Sequence, residues 1–257
     1  MKIKEVTCKT ALSKSNLPGL TYSLNPYRGC QHNCAYCYVP NVLRIKREEW
    51  GSFVNIKTNI PNVLSKELRN KKPGIVAIST VTDPYQPIEK KYNLTRYCLE
   101  QLLKYDFQVS IQTKSKLILR DLDMISKFTN ADIMISIGTL NDDERKIIEP
   151  YTSSINDRLE IIKQFSKNGI NTSVFFGPIY PTIKIENLNE IIDTFTNYGA
   201  SEIMYDKLNK KPGIMNNIIN KAPNWKILNY DEFDYPKIYK EIEKICTQKN
   251  IKVSSAF

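Results

Sequence analysis

The residues of this sequence best suited to chemistry are three cysteines, Cys30, Cys34 and Cys37, which lie within a span of eight residues. Such close spacing allows one loop to wrap three thiolates around a single metal centre. Iron–sulfur clusters are held by cysteine thiolates, and a cubane with three protein ligands leaves its fourth iron free for an exogenous ligand. The spacing therefore predicts an iron–sulfur cluster with one open iron, where substrate chemistry can occur.

A structural zinc site is the main alternative for these cysteines. Zinc of this kind needs four closed tetrahedral positions, so His32 or a distant cysteine would have to supply the fourth ligand. Zinc ligands usually come as two separated pairs, whereas His32 is the one histidine and no second cysteine pair exists. Unliganded thiols are a further alternative. We favour the cluster over both, with His32 beside it rather than bound to the metal.

Short apolar, β-branched runs alternate with longer stretches of helical period, which is the pattern of βα units around a parallel sheet. Six strands are predicted, at Leu20–Leu24, Gly74–Ser79, Gln108–Thr113, Ile133–Gly138, Asn171–Gly177 and Glu202–Tyr205. The clearest helices are predicted at Asn93–Tyr105, Ile185–Tyr198 and Tyr235–Gln248. The cysteines directly follow the first of these strands.

Six βα units are too few for a closed eight-stranded barrel, so the sequence predicts an α/β fold with an open, partial (βα)6 barrel. We expect one domain over residues 1–257, with the barrel at about 20–210 and a C-terminal cap helix region at about 211–257. Short extensions would flank the barrel at both ends. Its site would lie at the C-terminal ends of the strands.

The run from Thr80 to Pro87, directly after the second predicted strand, is the densest polar loop of the sequence. Its two prolines, Pro84 and Pro87, oppose helix formation and hold the turn open. A rigid polar loop at the end of a barrel strand is a candidate functional loop.

The C-x3-C-x2-C spacing, with Tyr36 directly before the last cysteine, resembles the signature of the radical S-adenosylmethionine (SAM) superfamily. The resemblance implies that Cys30, Cys34 and Cys37 hold a [4Fe-4S] cluster whose fourth iron is chelated by SAM. It also implies that one-electron reduction cleaves SAM to a 5′-deoxyadenosyl radical, which takes a hydrogen atom from substrate. Tyr36 would contact the adenine.

Residues 25–38 and 79–96 are similar to one branch of that superfamily, the spore photoproduct lyase-like or DNA repair photolyase-like group, and the likeness extends over about 20–210. It implies SAM contacts from Tyr36, Thr82, Asp83, Lys114, Ser136 and Gly177. Tyr36 and Tyr38 match tyrosines associated with radical relay and are therefore the predicted catalytic residues. On the residues alone, Lys114 and Ser136 could equally be ordinary polar groups at strand ends.

One feature of that branch is absent, namely the hydrogen-donating cysteine on the loop after the second strand. Residues 79–82 carry hydroxyl and apolar side chains in its place, and a hydroxyl is a poor hydrogen-atom donor compared with a thiol. Cys98 and Cys246 lie within apolar helical stripes, which favours core positions for both. The role of Cys8 stays open.

The formal charge of +10 favours an acidic partner such as nucleic acid or an acidic peptide, although lysines spread along the chain also suit a solvated surface. The sequence shows neither a secretory signal pattern nor a run of 18 apolar residues, so we expect a cytoplasmic protein without a membrane partner. A reductant such as flavodoxin or ferredoxin is the implied electron donor.

The predicted function is hydrogen-atom abstraction from a nucleic-acid base. Modification of a peptide or natural-product precursor is the alternative within the same chemistry. A non-enzymatic alternative is an iron–sulfur protein that senses redox state or iron, in which Asp83 and Lys114 would have no role. The sequence does not indicate an oligomeric state.

Overall fold

The computed structural model describes residues 1–223, 225 and 233–256, and these form two compact units. Unit 1 comprises residues 1–33 and 39–133, and unit 2 comprises residues 34–38 and the chain from 134 onwards. The prediction of one domain over residues 1–257 stays a prediction.

Unit 1 contains two sets of strands. They are β1 (Lys2–Val6), β2 (Leu12–Lys14), β3 (Tyr22–Leu24), β4 (Tyr27–Arg28), β5 (Phe53–Lys57), β6 (Ile75–Ile78) and β7 (Gln108–Thr113). One set has the order β1-β5-β4, and the other runs β2-β3-β6-β7. Strands β3, β6 and β7 are parallel. Because Leu24 pairs with Ile78, the segments that follow β3 and β6 leave the sheet at the same edge.

Unit 1 also contains several helices, of which the longer ones bury one apolar face. They are α1 (Val39–Leu43), α2 (Ile60–Leu68), α3 (Glu89–Tyr92), α4 (Leu94–Lys104) and α5 (Leu122–Ile125), with 3₁₀ turns at Arg47–Glu49 and Lys116–Asp121. Helix α4 buries Leu94, Cys98 and Leu102, which confirms the predicted stripe and the core position of Cys98.

Unit 2 repeats the strand and helix alternation. Its strands are the last three residues of β8 (Ala131–Ser136), then β9 (Asn171–Ile179), β10 (Glu202–Lys207) and β11 (Lys252–Ser255). Its helices are α6 (Asp142–Ile148), α7 (Ile155–Lys167), α8 (Leu188–Asn197), α9 (Ile214–Lys221) and α10 (Tyr235–Gln248), with a 3₁₀ turn at Ile185–Asn187. Strands β9, β10 and β11 are parallel neighbours. Helix α10 has the predicted bounds and buries Cys246.

All six predicted strands are present, and the alternation with helices confirms the predicted α/β class. The largest difference is at β8, which covers Ala131–Ser136 rather than Ile133–Gly138, and β9 continues to Ile179 rather than ending at Gly177. Proline lacks an N–H for the ladder, and the pairing with β10 shifts register between Tyr205 and Lys207, so β9 passes Pro178 through an irregularity. Strands β1, β2, β4, β5 and β11 were not predicted.

Within the described ranges, the structure has no helix that is both long and apolar enough to cross a membrane.

Candidate active site

The segment after β3 is tied to the segment after β6 by side chains on alternate residues. The Asn25 side-chain oxygen accepts hydrogen bonds from the backbone N–H groups of Thr80 and Val81, at 3.0 and 3.1 Å. Two residues further on, the Tyr27 hydroxyl donates to the buried carboxylate of Glu89. Residues that follow β6 therefore fix the position of the backbone that leads to the three cysteines.

The same pattern continues up to the first cysteine. The carbonyl oxygen of Gly29 accepts hydrogen bonds from the Thr82 hydroxyl at 2.7 Å and from the Gln86 amide at 3.2 Å. Gln86 in turn accepts from the backbone N–H of Gln31 at 2.9 Å. Thr82 and Gln86 thus fix the backbone on both sides of Cys30.

Asp83 is the most fully bonded side chain of this loop and is 9% exposed. One carboxylate oxygen accepts from the Thr113 hydroxyl at 2.7 Å and from the Tyr85 N–H at 2.9 Å. The other accepts from the Lys114 N–H at 2.9 Å and lies 3.3 Å from Nδ1 of His32. A carboxylate has about four acceptor sites, and these contacts occupy all of them.

The surroundings of Asp83 favour its charged form. Burial alone would raise the pKa of Asp83, but the interaction with His32 and the hydrogen bonds from His32, Lys114 and Thr113 lower it to about 2. Asp83 is therefore ionised at neutral pH. It joins the segments that follow β4, β6 and β7 at one point.

The three cysteines predicted to hold a cluster differ in their exposure. Cys30 and Cys34 are buried and Cys37 is half-buried, and the Cys37 N–H donates to the Cys34 carbonyl at 3.2 Å in a tight turn. Among the described residues, no three His, Cys, Asp or Glu side chains converge as a ready metal site. The donor set of three thiols is the chemistry that iron–sulfur clusters use, so these residues fit the predicted group. His32, 2% exposed, faces Asp83.

Tyr36 lies in unit 2, and its hydroxyl is already engaged. It donates a hydrogen bond to Glu149, whose other oxygen is paired with Arg158. The Tyr36 ring also meets Tyr180 edge-on, with 6.2 Å between the ring centroids. Burial and the neighbouring Glu149 carboxylate raise the pKa of Tyr36 well above its usual range, so the phenol stays protonated at neutral pH.

The other predicted site residues of unit 2 occupy different surroundings. Ser136 is buried at the end of β8, where its carbonyl accepts from Arg158 at 2.8 Å. At Gly177, an added Cβ would lie 2.5 Å from the Phe175 ring of the same strand. Tyr38 is 45% exposed, and the Lys211 ammonium lies 5.1 Å from its ring centroid. Arg158 thus connects Ser136 and Tyr36, while Tyr38 faces solvent.

Sequence reasoning missed Glu149 and Arg158, and also the pairing of Tyr27 with Glu89. Charged residues outside recognised motifs are normally solvated, so nothing in their spacing marked them. The late part of the chain carries three more aromatic residues, Trp225, Tyr230 and Phe233. Trp225 is buried and its indole N–H donates to Glu144 at 2.7 Å. Phe233 is half-buried, and Tyr230 lies outside the described residues.

Gly29 lies directly before Cys30 in a backbone conformation that favours glycine. Replacing Gly29 is therefore expected to destabilise the fold. Gly29 has φ +97° and an added Cβ would collide with the backbone of Phe53, whereas Gly169, at φ +73°, has nothing within 4 Å. We expect Gly29→Ala to lower the free energy of unfolding by about 3 kcal/mol or more, from left-handed strain plus overpacking. Gly169→Ala is expected to cost only about 1 kcal/mol of strain. Urea denaturation of both variants measures the difference, and equal losses would contradict the close approach.

Comparison with known proteins identifies the class. A family model of the radical SAM superfamily matches residues 24–195, so the chain belongs to this superfamily and is a radical SAM enzyme. An uncharacterised protein of Methanocaldococcus jannaschii is 33% identical over 214 residues, which cover 82% of this chain and 81% of that protein. Spore photoproduct lyase of Clostridium acetobutylicum is 24% identical over 227 residues, covering 84% of this chain and 64% of the lyase.

Among solved structures, spore photoproduct lyase with bound AdoMet and dinucleoside spore photoproduct is similar to this chain with a TM-score of 0.72. The match covers 99% of this chain and 82% of that one at 14% sequence identity. This likeness confirms the predicted α/β radical SAM fold and the resemblance to the lyase-like branch. Membership of the superfamily implies SAM and an iron–sulfur cluster as cofactors, and it favours an enzyme over the alternative of a sensor without turnover.

Proposed function

We propose that this chain cleaves SAM reductively and uses the resulting radical to abstract a hydrogen atom from a nucleic-acid base. Cys30, Cys34 and Cys37 would hold a [4Fe-4S] cluster, and its open iron would bind SAM and supply the electron that gives the 5′-deoxyadenosyl radical. The observation that carries the proposal is the set of bonds from Thr82, Asp83 and Gln86 that fixes the approach to the cysteines. A flavodoxin or ferredoxin is the proposed reductant, in the cytoplasm.

We propose that two groups of residues bind SAM. In unit 1, Thr82 and Asp83 would bind its ammonium group and Lys114 its carboxylate. The four acceptor sites of Asp83 are already taken, so an arriving ammonium group would displace the longest contact, that with His32 at 3.3 Å. Charge-assisted hydrogen bonds of this kind are stronger than neutral ones, which favours the exchange.

In unit 2, Ser136, Gly177 and the Tyr36 ring would contact the ribose and adenine. A buried phenol that stays protonated presents an apolar ring face to a ligand. The hydroxyl of Tyr36 is fixed by its hydrogen bond to Glu149. Tyr38 is the proposed catalytic partner of Tyr36, because it follows the last cysteine and its ring is exposed.

A nucleic-acid base is the proposed substrate for three reasons. The lyase structure that this chain resembles holds a dinucleoside, and this chain carries a charge of +10. An exposed aromatic ring beside a cation, as at Tyr38 and Lys211, suits stacking of a base with its phosphate nearby. The buried Cys98 is unsuited to return a hydrogen atom, so we do not extend the proposal to repair by a thiol donor.

Deuterium transfer tests the substrate class. Cluster-loaded enzyme is incubated with SAM and dithionite in the presence of perdeuterated DNA, RNA or peptide pools. We expect deuterium in the 5′-deoxyadenosine formed with nucleic acid and none with peptides. Deuterium from the peptide pool alone would overturn the nucleic-acid proposal and favour modification of a peptide.

A further inference from the structure

An ion pair between Glu149 and Arg158 is enclosed within unit 2. Arg158 is fully buried and Glu149 is 1% exposed. The guanidinium also donates to the carbonyls of Ser136 at 2.8 Å and Ser153 at 3.1 Å, and to the Thr152 hydroxyl. The arginine is therefore fixed from several directions.

Stability alone does not account for such a pair. Removing two charges from water carries a desolvation cost that often equals or exceeds their attraction, and well-packed apolar residues of similar size commonly do as well or better. The reason for burying Glu149 and Arg158 is therefore sought in the residues that they contact. Glu149 accepts a hydrogen bond from Tyr36, and Arg158 donates one to the Ser136 carbonyl. Both Tyr36 and Ser136 are proposed to contact SAM.

The backbone around Glu149 holds the same part of the cysteine loop. Glu149 directly follows α6, and the carbonyl of Ile148 accepts from the Ala35 N–H at 2.9 Å. Arg145 donates to the Glu149 carbonyl at 3.2 Å, which fixes the end of that helix. Two successive residues of the cysteine loop are thus bonded to the last residue of α6 and to the residue that follows it.

We propose that Glu149 and Arg158 are positioning residues that set the place of the Tyr36 ring and, through it, the affinity for SAM. The inference rests on the proposed function, in which Tyr36 contacts the adenine. The carboxylate fixes the phenol hydroxyl, and the guanidinium fixes the carboxylate relative to the end of β8. Tyr36 is thereby held before SAM arrives, so binding does not have to order it.

A double-mutant cycle tests the link between Glu149 and Tyr36. The dissociation constant for labelled SAM is measured by equilibrium dialysis on cluster-loaded Tyr36→Phe, Glu149→Gln and the double variant. We expect each single change to weaken binding about 10-fold, and the double variant to be no weaker than either single one. The urea unfolding midpoints of the cluster-free chains are expected to show the same coupling. Additive losses in SAM affinity, or none, would overturn the proposal.

A second variant separates positioning from a merely structural role. Replacing the pair by Glu149→Leu with Arg158→Met is expected to lower the unfolding midpoint, because Tyr36 and the Ser136 carbonyl lose their partner, but to keep the iron content of the loaded protein while weakening SAM binding about 10-fold. Wild-type affinity in this variant would overturn the proposal. Asp193→Asn, which removes the ion pair with Lys249 at 2.6 Å, is the control and should leave SAM binding unchanged. If loaded wild-type protein binds no SAM, the proposed function itself fails.

Discussion

Replacing Cys34 with alanine is expected to abolish cluster binding and reduce SAM cleavage to background. Three thiolates hold the predicted cluster, and the loss of one leaves a second iron without a protein ligand. Iron and acid-labile sulfide per chain, with the charge-transfer absorbance of the cluster, measure the loss after anaerobic reconstitution. The same result is expected for Cys30 and Cys37.

Cys246→Ala is the matched control for this change. Cys246 is more buried than the three predicted cluster cysteines and lies in the core on α10, where burial raises the pKa of its thiol to about 11. The variant should bind iron and sulfide like the wild type, with a modest loss of stability from the small cavity. If Cys34→Ala kept a full cluster, or if zinc rather than iron filled the wild-type site, the ligand assignment would be wrong.

The second large effect is expected for Asp83→Asn. The carboxylate accepts four hydrogen bonds, and an amide can accept only on its oxygen, so two donors lose their partner. We expect a loss of about 2–3 kcal/mol in the free energy of unfolding and about 10- to 100-fold in SAM cleavage. Urea denaturation and the initial rate of SAM cleavage measure the two effects.

Glu67→Gln is the control for Asp83→Asn. The Glu67 carboxylate accepts the backbone N–H groups of Ala11 and Leu12, both at 2.9 Å, but touches no predicted site residue. This variant should lose stability and keep the rate of SAM cleavage per loaded cluster. A rate in Asp83→Asn that also stays at the wild-type value per cluster would contradict a role for Asp83 in SAM binding.

Asp83→Asn should also change how the stability of the protein depends on pH in the acid range. The native pKa of Asp83, about 2, lies below the unfolded value of about 3.9. The resulting stabilisation is complete above about pH 4 and is lost as the pH falls towards 2. The difference in unfolding free energy between the cluster-free wild-type and Asp83→Asn chains should therefore shrink over that range.

Periodicity predicted most of the fold because the parallel strands are short and rich in apolar and β-branched residues, and the helices carry one apolar stripe. The bounds of α10 and the burial of Cys98 and Cys246 follow from that pattern. The strands β1 and β5 could not be predicted in this way. Both are short and carry polar residues, and they are defined by pairing with each other across some 50 residues of chain.

The candidate site was predictable only in part. The spacing of the cysteines and the position of the loop after the second strand were visible in the sequence. The hydrogen-bond partners of that loop were not, because Asn25, Gly29 and His32 meet it through the parallel pairing of β3 and β6. Glu149 and Arg158 were missed because burial, rather than residue type, distinguishes them from surface charges.

The most direct test of the central claim is the formation of 5′-deoxyadenosine. The protein is reconstituted anaerobically with iron and sulfide, reduced with dithionite and given SAM, and the product is measured by mass spectrometry with Cys34→Ala in parallel. The proposal predicts 5′-deoxyadenosine from the wild type and none from Cys34→Ala. A fully loaded, reduced wild-type enzyme that forms none, even with nucleic acid or peptide present, would contradict it.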